Sequence, residues 1–441
     1  MRLNLAHDHP AAHRRAAETV REQAERLGRT VGLLVDLPGP KMRTGPVAGE
    51  EVTLEPGSDF AITQERVEGD ATRVSTTVAG LPTMLSKGDP VFLADGEIVL
   101  EVTMVGRDEV GTRVVRGGVL RSGKGMHVPS AERDVEAFTE ADRAHLGVGV
   151  RVGADLVGLS FVRDASDVER ARAALSGGRR PLVVAKIETR SALENLDEII
   201  HAADAVMVAR GDLGIQTELR AVPLVQKEII ATCNRAGAPV ITATEMLESM
   251  TRSSLPTRAE VVDVANAVLD GTDALMLSEE TAIGSYPEGA VRTMDGIARL
   301  AETRTRTDNF PSPSEQSEDP VSWAVARAAV HAAEDVSVAA IVCPTRSGST
   351  PRRVAAFRPS MPIIGLSGRA VTIGAMALVW GVIPLHMEGM RAARDAREEV
   401  DRAIAAGRRA GLLDRGDLVA VVAGSPGRRA GRTDYVRIAR V

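Results

Sequence analysis

The chain has 441 residues, room for roughly two to four domains, and 54 Lys and Arg against 60 Asp and Glu give a net charge of −6. That balance argues against a nucleic-acid or membrane-surface partner. The only cysteines, Cys233 and Cys343, fall in different predicted domains, which excludes a disulfide framework and suits a reducing cytoplasm; there is no secretory pattern at the amino terminus and no apolar run of the ~18 residues that span a bilayer.

In chain order, "RLNLA" and "VGLLVD" are predicted strands flanking a helical stretch. Next comes "DLPGPKMRTG", Asp36 to Gly45, which neither helix nor strand can traverse, because proline lacks an amide donor and glycine tolerates positive φ. A rigid loop carrying Lys41 and Arg43 at a strand end is suited to an anion. Residues 45–128 are Val- and Thr-rich, with a hairpin turn at Asp95-Gly96, and read as a small inserted β domain. Within it Gly118, Gly123 and Lys124 follow most of a phosphate-binding P-loop pattern, but Gly125 stands where Ser or Thr is needed and no helix start follows.

From Asp155 to about Glu302, "DLVGLSF", "LVVAKIE", "AVMVA", "PVITA" and "ALMLS" alternate with helical stretches, as buried parallel strands do. In "PTRAEVVDVANAVLDG", Thr257 and Glu260 form a capping box and Gly271 a C-terminal cap. Such strand–helix repeats make a doubly wound sheet or a (β/α)8 barrel, and the count is seven strands of this type. Residues 304–320 read as a linker and 321–441 as a separate C-terminal α/β domain.

Polar residues gather at the strand ends. Lys186 and Glu188, two apart, share one side of the chain. The next strand ends in Asp212, and the following two bring Thr244, then Ser278 and Glu280, to the same mouth. Glu188 and Asp212 are a candidate pair for a hard divalent cation, Mg²⁺ or Mn²⁺, completed by water and substrate, with Lys186 beside it. The bland alternative is a surface salt-bridge network on loops.

These blocks ("LSFVR", "AKIE", "VMVARGDLG", "ATEMLESM", "PTRAEVVDVANAVLDGTDALMLSEETA", "YPEGAV", with "RLNLAH", "GPKMRTG", "ADGEIVL", "GKGMHVP", "TRSGST" and "WGV") resemble pyruvate kinase in order and spacing over essentially the whole chain. The resemblance implies a (β/α)8 (TIM-type) barrel from 1–44 and 129–303, lacking its first βα unit because the family usually carries another strand, loop and helix before "RLN". It also implies the inserted β-barrel domain as a lid and the C-terminal α/β domain. The implied activity is phosphoryl transfer from phosphoenolpyruvate to ADP, giving ATP and pyruvate as the last step of glycolysis. The implied setting is the cytoplasm, and the implied assembly a homotetramer.

By the same resemblance, Lys186, Thr244 and Arg43 are catalytic; Lys186 stands over the transferring group and Thr244 near the site of enolate protonation. Arg2, Arg43, Gly211, Asp212 and Thr244 bind substrate, Asn4, His7 and Lys124 are cofactor contacts, and Glu188 and Asp212 hold Mg²⁺. The family's usual K⁺ ligands, Asn, Ser, Asp and Thr, correspond to Asn4, Ala6, Asp36 and Leu37, and a usual loop glutamate is Lys41. The expectation is an enzyme independent of K⁺, with the Lys41 ammonium beside Asp36 as the built-in cation.

Departures from the pattern are Asp8, Glu245 and Glu279, each adding negative charge. They suggest the alternative, a catalytically impaired relative with a metabolite-sensing or subunit role. In "CPTRSGSTPRR", Thr345, Ser347, Ser349 and Thr350 suit a phosphorylated effector, or are simply the capping residues of a strand-to-helix turn.

Overall fold

The apolar runs on either side of the first helix, Pro10–Arg26, are strands β1 (Arg2–Asn4) and β2 (Leu34–Asp36) of the computed structural model, which describes residues 1–7, 9–94, 96–133, 135–175, 180–304, 319–387, 396–424 and 432–441. An insertion follows with β3 (Glu51–Leu54), β4 (Asp59–Thr63), β5 (Arg73–Ser75), β6 (Pro90–Leu93), β7 (Ile98–Val105), β8 (Glu109–Arg116), β9 (Gly118–Arg121) and β10 (Met126–His127). The chain then resumes the first sheet with β11 (Leu156–Leu159), β12 (Leu182–Ile187), β13 (Ala205–Ala209), β14 (Val240–Ala243) and β15 (Ala274–Met276).

The first sheet runs β1-β2-β11-β12-β13-β14-β15, parallel throughout. These are the seven strands predicted from the apolar runs, and the fold is α/β with a barrel. Side chains alternate as the period of two requires. Leu34, Leu156, Val184, Met207 and Ile241 pack into one cluster, while Val35, Val157, Val183, Ala185 and Val208 pack with helix residues in another. Parallel register carries Asn4, Asp36 and Gly158 into line across the first three strands, so the loops after each strand share one rim. Gly158 is required there: a Cβ would stand 2.7 Å from Asp36 Oδ1.

The insertion forms a six-stranded sheet, β10-β6-β7-β8-β4-β5, and a β3-β9 pair around Phe60, Ile62, Leu93, Ile98 and Leu100. Asp95 of the predicted hairpin lies outside the described residues; β6 and β7 pair antiparallel on either side of it, with Gly96 at φ +87°. Most of the expected linker, 305–318, also lies outside them.

The helix Arg258–Asp270 has its capping box formed on both sides, and Gly271 closes it at φ +98°, as its sequence predicts. The last sheet runs β18 (Val382–His386), β17 (Ile363–Ser367), β16 (Ala340–Pro344), β19 (Leu418–Ala423) and β20 (Tyr435–Arg440). The runs "AAIVC", "MPIIGLS", "VIPLHM" and "DLVAVVAG" predict the other four strands; β20 is antiparallel and was not among those predicted. This unit meets the barrel through Arg358, which is buried. It donates to Asp273 at 3.0 Å, to Asn234 Oδ1 at 3.1 Å and to the Gly271 carbonyl at 2.5 Å, and lies 5.1 Å from the Trp380 ring centroid.

Candidate active site

Lys186 is the last but one residue of β12 and is buried. Its Nζ donates to Ser160 Oγ at 2.7 Å and stands 2.8 Å from Glu188 Oε1 and 3.5 Å from Asp36 Oδ1. Ser160 passes the constraint on by donating to the Leu37 carbonyl at 2.7 Å. Glu188 Oε2 accepts from the Phe161 amide at 2.7 Å, and Phe161 takes φ +55° to present it. Asp36 Oδ2 accepts from Arg2 at 2.6 and 2.9 Å.

The electrostatics follow from burial. Burial alone would lower the Lys186 pKa, but the charges of Asp36, Glu188 and Asp212 outweigh it and hold the ammonium well above its usual range. Glu188 is pushed up, first by burial and then by the Asp212 charge, against the pull of Lys186. Three carboxylates therefore meet two cations, Lys186 and Arg2. Glu188 Oε1 and Asp36 Oδ1 are buried and share the one Lys186 ammonium. A divalent cation would correct the surplus of negative charge, so the residues present fit one. Among the described residues no group of three or more His, Cys, Asp or Glu gathers as a complete ligand set. Two carboxylates with water and substrate oxygens is the coordination Mg²⁺ favours.

Beside this cluster a cleft opens between the insertion and the barrel rim. Asp212, Phe161, Thr189 and Arg163 line it from the barrel, Phe92, Gly96 and His127 from the insertion, and Lys41 from the proline–glycine loop. His127 stacks on Phe92 and meets Gln216 at 2.9 Å, joining β10 to the helix Arg210–Gln216; burial pushes its pKa down to about 4.

Thr244 follows β14 at φ +65°; its Oγ1 accepts from the Gly211 amide at 3.0 Å and donates to the Ala243 carbonyl at 2.7 Å. The Gly211 amide is thus already engaged. Glu280 accepts from the Leu247 and Ser278 amides and so ties two of the rim loops together.

Other expected residues stand elsewhere. Lys41 is exposed and makes no ion pair with Asp36, whose carboxylate is taken by Arg2 and Lys186. The loop turns Lys41 away because Gly39, at φ +66°, is anchored by its amide to Asp142 Oδ1 at 3.0 Å. Arg43 donates to the Gly123 carbonyl at 3.0 Å and bridges Gly125, and the Lys124 carbonyl accepts from Thr44, so both lie at the junction with the insertion. Asn4 Oδ1 accepts from the Ala6 amide and His7 is exposed. In the C-terminal loop, Thr345 accepts from the Gly348 amide, Thr350 is buried against Thr433, and Ser347 donates to Ser349.

A family model described as "Pyruvate kinase, barrel domain" matches residues 1–291, and one described as "Pyruvate kinase, alpha/beta domain" matches 323–439. The pyruvate kinase of Geobacillus stearothermophilus is 42% identical over 99% of this chain and 75% of its own length. That of Thermococcus litoralis is 42% identical over 88% and 83%, and that of Thermotoga maritima 37% over 100% and 93%. The chain belongs to the pyruvate kinase family. Pyruvate kinases are phosphotransferases, and membership implies phosphoenolpyruvate and ADP as substrates. No helix among the described residues is long and apolar enough to cross a membrane.

Sequence reasoning missed several residues around this candidate site. Ser160 stood in the quoted "LSFVR", where a hydroxyl ending an apolar strand was a usable signal. Asp142 and Arg210 act across 103 and 33 residues of sequence, through contacts that no local pattern marks.

Proposed function

We propose that this chain transfers the phosphoryl group of phosphoenolpyruvate to ADP with Mg²⁺ or Mn²⁺ and without need of K⁺, as the last step of glycolysis in the cytoplasm. The observation that carries this reading is the buried Lys186 ammonium, set among carboxylates that outnumber the local cations.

Glu188 and Asp212 would hold the divalent ion, which when bound neutralises charge on the phosphoryl oxygens. Lys186, kept charged by its neighbours, acts as a fixed cation and not as a base, with Ser160 setting its direction. The P–O bond to the enol oxygen breaks as the P–O bond to ADP forms, and the freed enolate takes a proton at its methylene carbon near the Thr244 hydroxyl. Little covalent help is needed; positioning and charge do most of the work. Residues 1–44 with 129–303 form the catalytic unit, and 45–128 close over the cleft to exclude water.

K⁺ independence rests on three features. Ala6 and Leu37 offer no side-chain oxygen, Asp36 is already neutralised by Arg2 and Lys186, and Lys41 brings a tethered positive charge to the cleft wall. The expected place beside Asp36 is dropped and the expected role kept: Lys41 helps to balance the substrate's charge. Arg43 and Lys124, at the junction with the insertion, come to the substrate when the lid closes. A phosphorylated effector would use Ser347 and Ser349, since Thr345 and Thr350 hold the loop itself. The assembly is a homotetramer, a reading carried by the family.

The test is ATP formation from phosphoenolpyruvate and ADP with Mg²⁺, first free of K⁺ and then with K⁺ added. Equal rates are expected. A severalfold rise with K⁺ would remove the cation argument while keeping the kinase. No turnover from a folded sample in either buffer would favour the sensing alternative.

A further inference from the structure

Thr244 and Glu245, consecutive and neither a glycine, both take left-handed backbone, at φ +65° and +53°. Side-chain-bearing residues persist there only where their surroundings hold them. Here one guanidinium, from the end of the neighbouring strand, does the holding. Arg210 Nε donates to the carbonyls of Ala243 and Thr244, both at 3.2 Å. Its Nη2 donates to Thr244 at 2.5 Å and Glu245 at 3.2 Å. Its Nη1 donates to Asp263 Oδ2 at 2.6 Å, on the helix Arg258–Asp270.

We propose that Arg210, braced by Asp263, is a positioning residue that holds the Thr244–Glu245 turn left-handed and so fixes the Thr244 hydroxyl for catalysis. The inference rests on the reading of Thr244 as a group at the reacting centre. The geometry assigns distinct work to the guanidinium nitrogens: Nε and Nη2, on one edge, grip three successive carbonyls of the turn, and Nη1 is anchored to a helix whose start is fixed by its own capping box. Only a planar fork meets acceptors in that arrangement; a lysine is a point donor. The turn in turn presents Thr244 Oγ1 to the Gly211 amide, so the hydroxyl is oriented from both sides. Released from Arg210, the pair relaxes toward ordinary backbone regions and the hydroxyl moves away, without touching Lys186, Glu188 or Asp212.

The experiment uses the full chain with Mg²⁺ and compares kcat and KM for phosphoenolpyruvate among variants checked for cooperative melting. Arg210→Met is expected to lower kcat roughly 100-fold, the scale of an ångström's misplacement, with KM within a factor of about three. Arg210→Lys is expected not to restore it. Glu245→Gly in the Arg210→Met background is expected to recover about tenfold in kcat, because glycine adopts positive φ unaided; a merely structural role would give no such recovery. If Arg210→Met fails to fold, Asp263→Asn replaces it, with an expected loss in kcat at unchanged KM. Thr244→Ala separates the two layers of the argument. If it leaves kcat intact, the reading of Thr244 fails and this inference with it. If it lowers kcat while Arg210→Met, or Asp263→Asn in its place, turns over normally, the strut alone is overturned.

Discussion

Lys186 Nζ stands between Glu188 Oε1, at 2.8 Å, and Asp36 Oδ1, at 3.5 Å, so one buried ammonium serves two buried carboxylates. Because neighbouring charges raise its folded pKa, its contribution to stability is complete below the unfolded value of about 10.4 and is lost as pH rises through the folded value. Denaturant unfolding above that pH should lose about 1.4 kcal/mol per pH unit from this group. The Lys186→Met variant should lack that component of the slope. At neutral pH it should be about 3–5 kcal/mol less stable, the usual cost of leaving a buried charge unpaired, and should have no measurable turnover.

Asp212 reaches the cleft while Glu188 lies buried behind it. Asp212→Asn keeps the shape and removes one charge, so the Mg²⁺ concentration for half-maximal rate should rise roughly 100-fold, at least matching the loss seen when supporting groups of a metal site are changed. A Mg²⁺ titration of activity, with a melting curve as control, checks this; an unchanged midpoint would exclude Asp212 from the metal site.

Lys41 lines the cleft from an exposed position, so Lys41→Gln should fold normally. Its KM for phosphoenolpyruvate should rise, and turnover should become sensitive to added K⁺. Initial rates across a K⁺ series, compared with the native chain, decide the matter.

Arg358 joins the C-terminal unit to the barrel through Asp273, Asn234 and Gly271. Removing it leaves Asp273 half-paired in a buried contact, and Arg358→Ala should cost about 3–5 kcal/mol. Calorimetry should show a lowered melting temperature, and splitting of the transition would reveal the two units parting.

Gly374 packs against Asp155 from the same side: an added Cβ would lie 2.2 Å from Asp155 Cγ. Asp155 cannot swing aside freely, because Arg21 at 2.7 Å and the Leu33 amide at 2.9 Å hold it. Gly374→Ala should therefore destabilise by about 1–3 kcal/mol, as overpacking does. A denaturant midpoint equal to that of the native chain would show the contact to be softer than its geometry.

Much of this was legible locally. The seven barrel strands follow from short Val- and Ile-rich runs, the Arg258–Asp270 helix from its capping box and closing glycine, and the grouping of Lys186, Glu188 and Asp212 from polar residues ending consecutive strands. β20 was missed because its sequence, "YVRIAR", alternates with charge and lies half-exposed on a sheet edge.

The sequence by itself determined what depends on neighbours along the chain: strand and helix periods, caps, and which residue types reach the rim. Tertiary structure alone decided who pairs with whom. Asp36 went to Arg2 and Lys186 and not to Lys41, five residues away, because Gly39 is pinned to Asp142 and turns the loop outward. Thr350 was taken by Thr433, and Arg210 found its carbonyls on the next strand. A buried charge or hydroxyl must be satisfied by whatever group lies within about 3 Å, and parallel register brings that group from far along the chain.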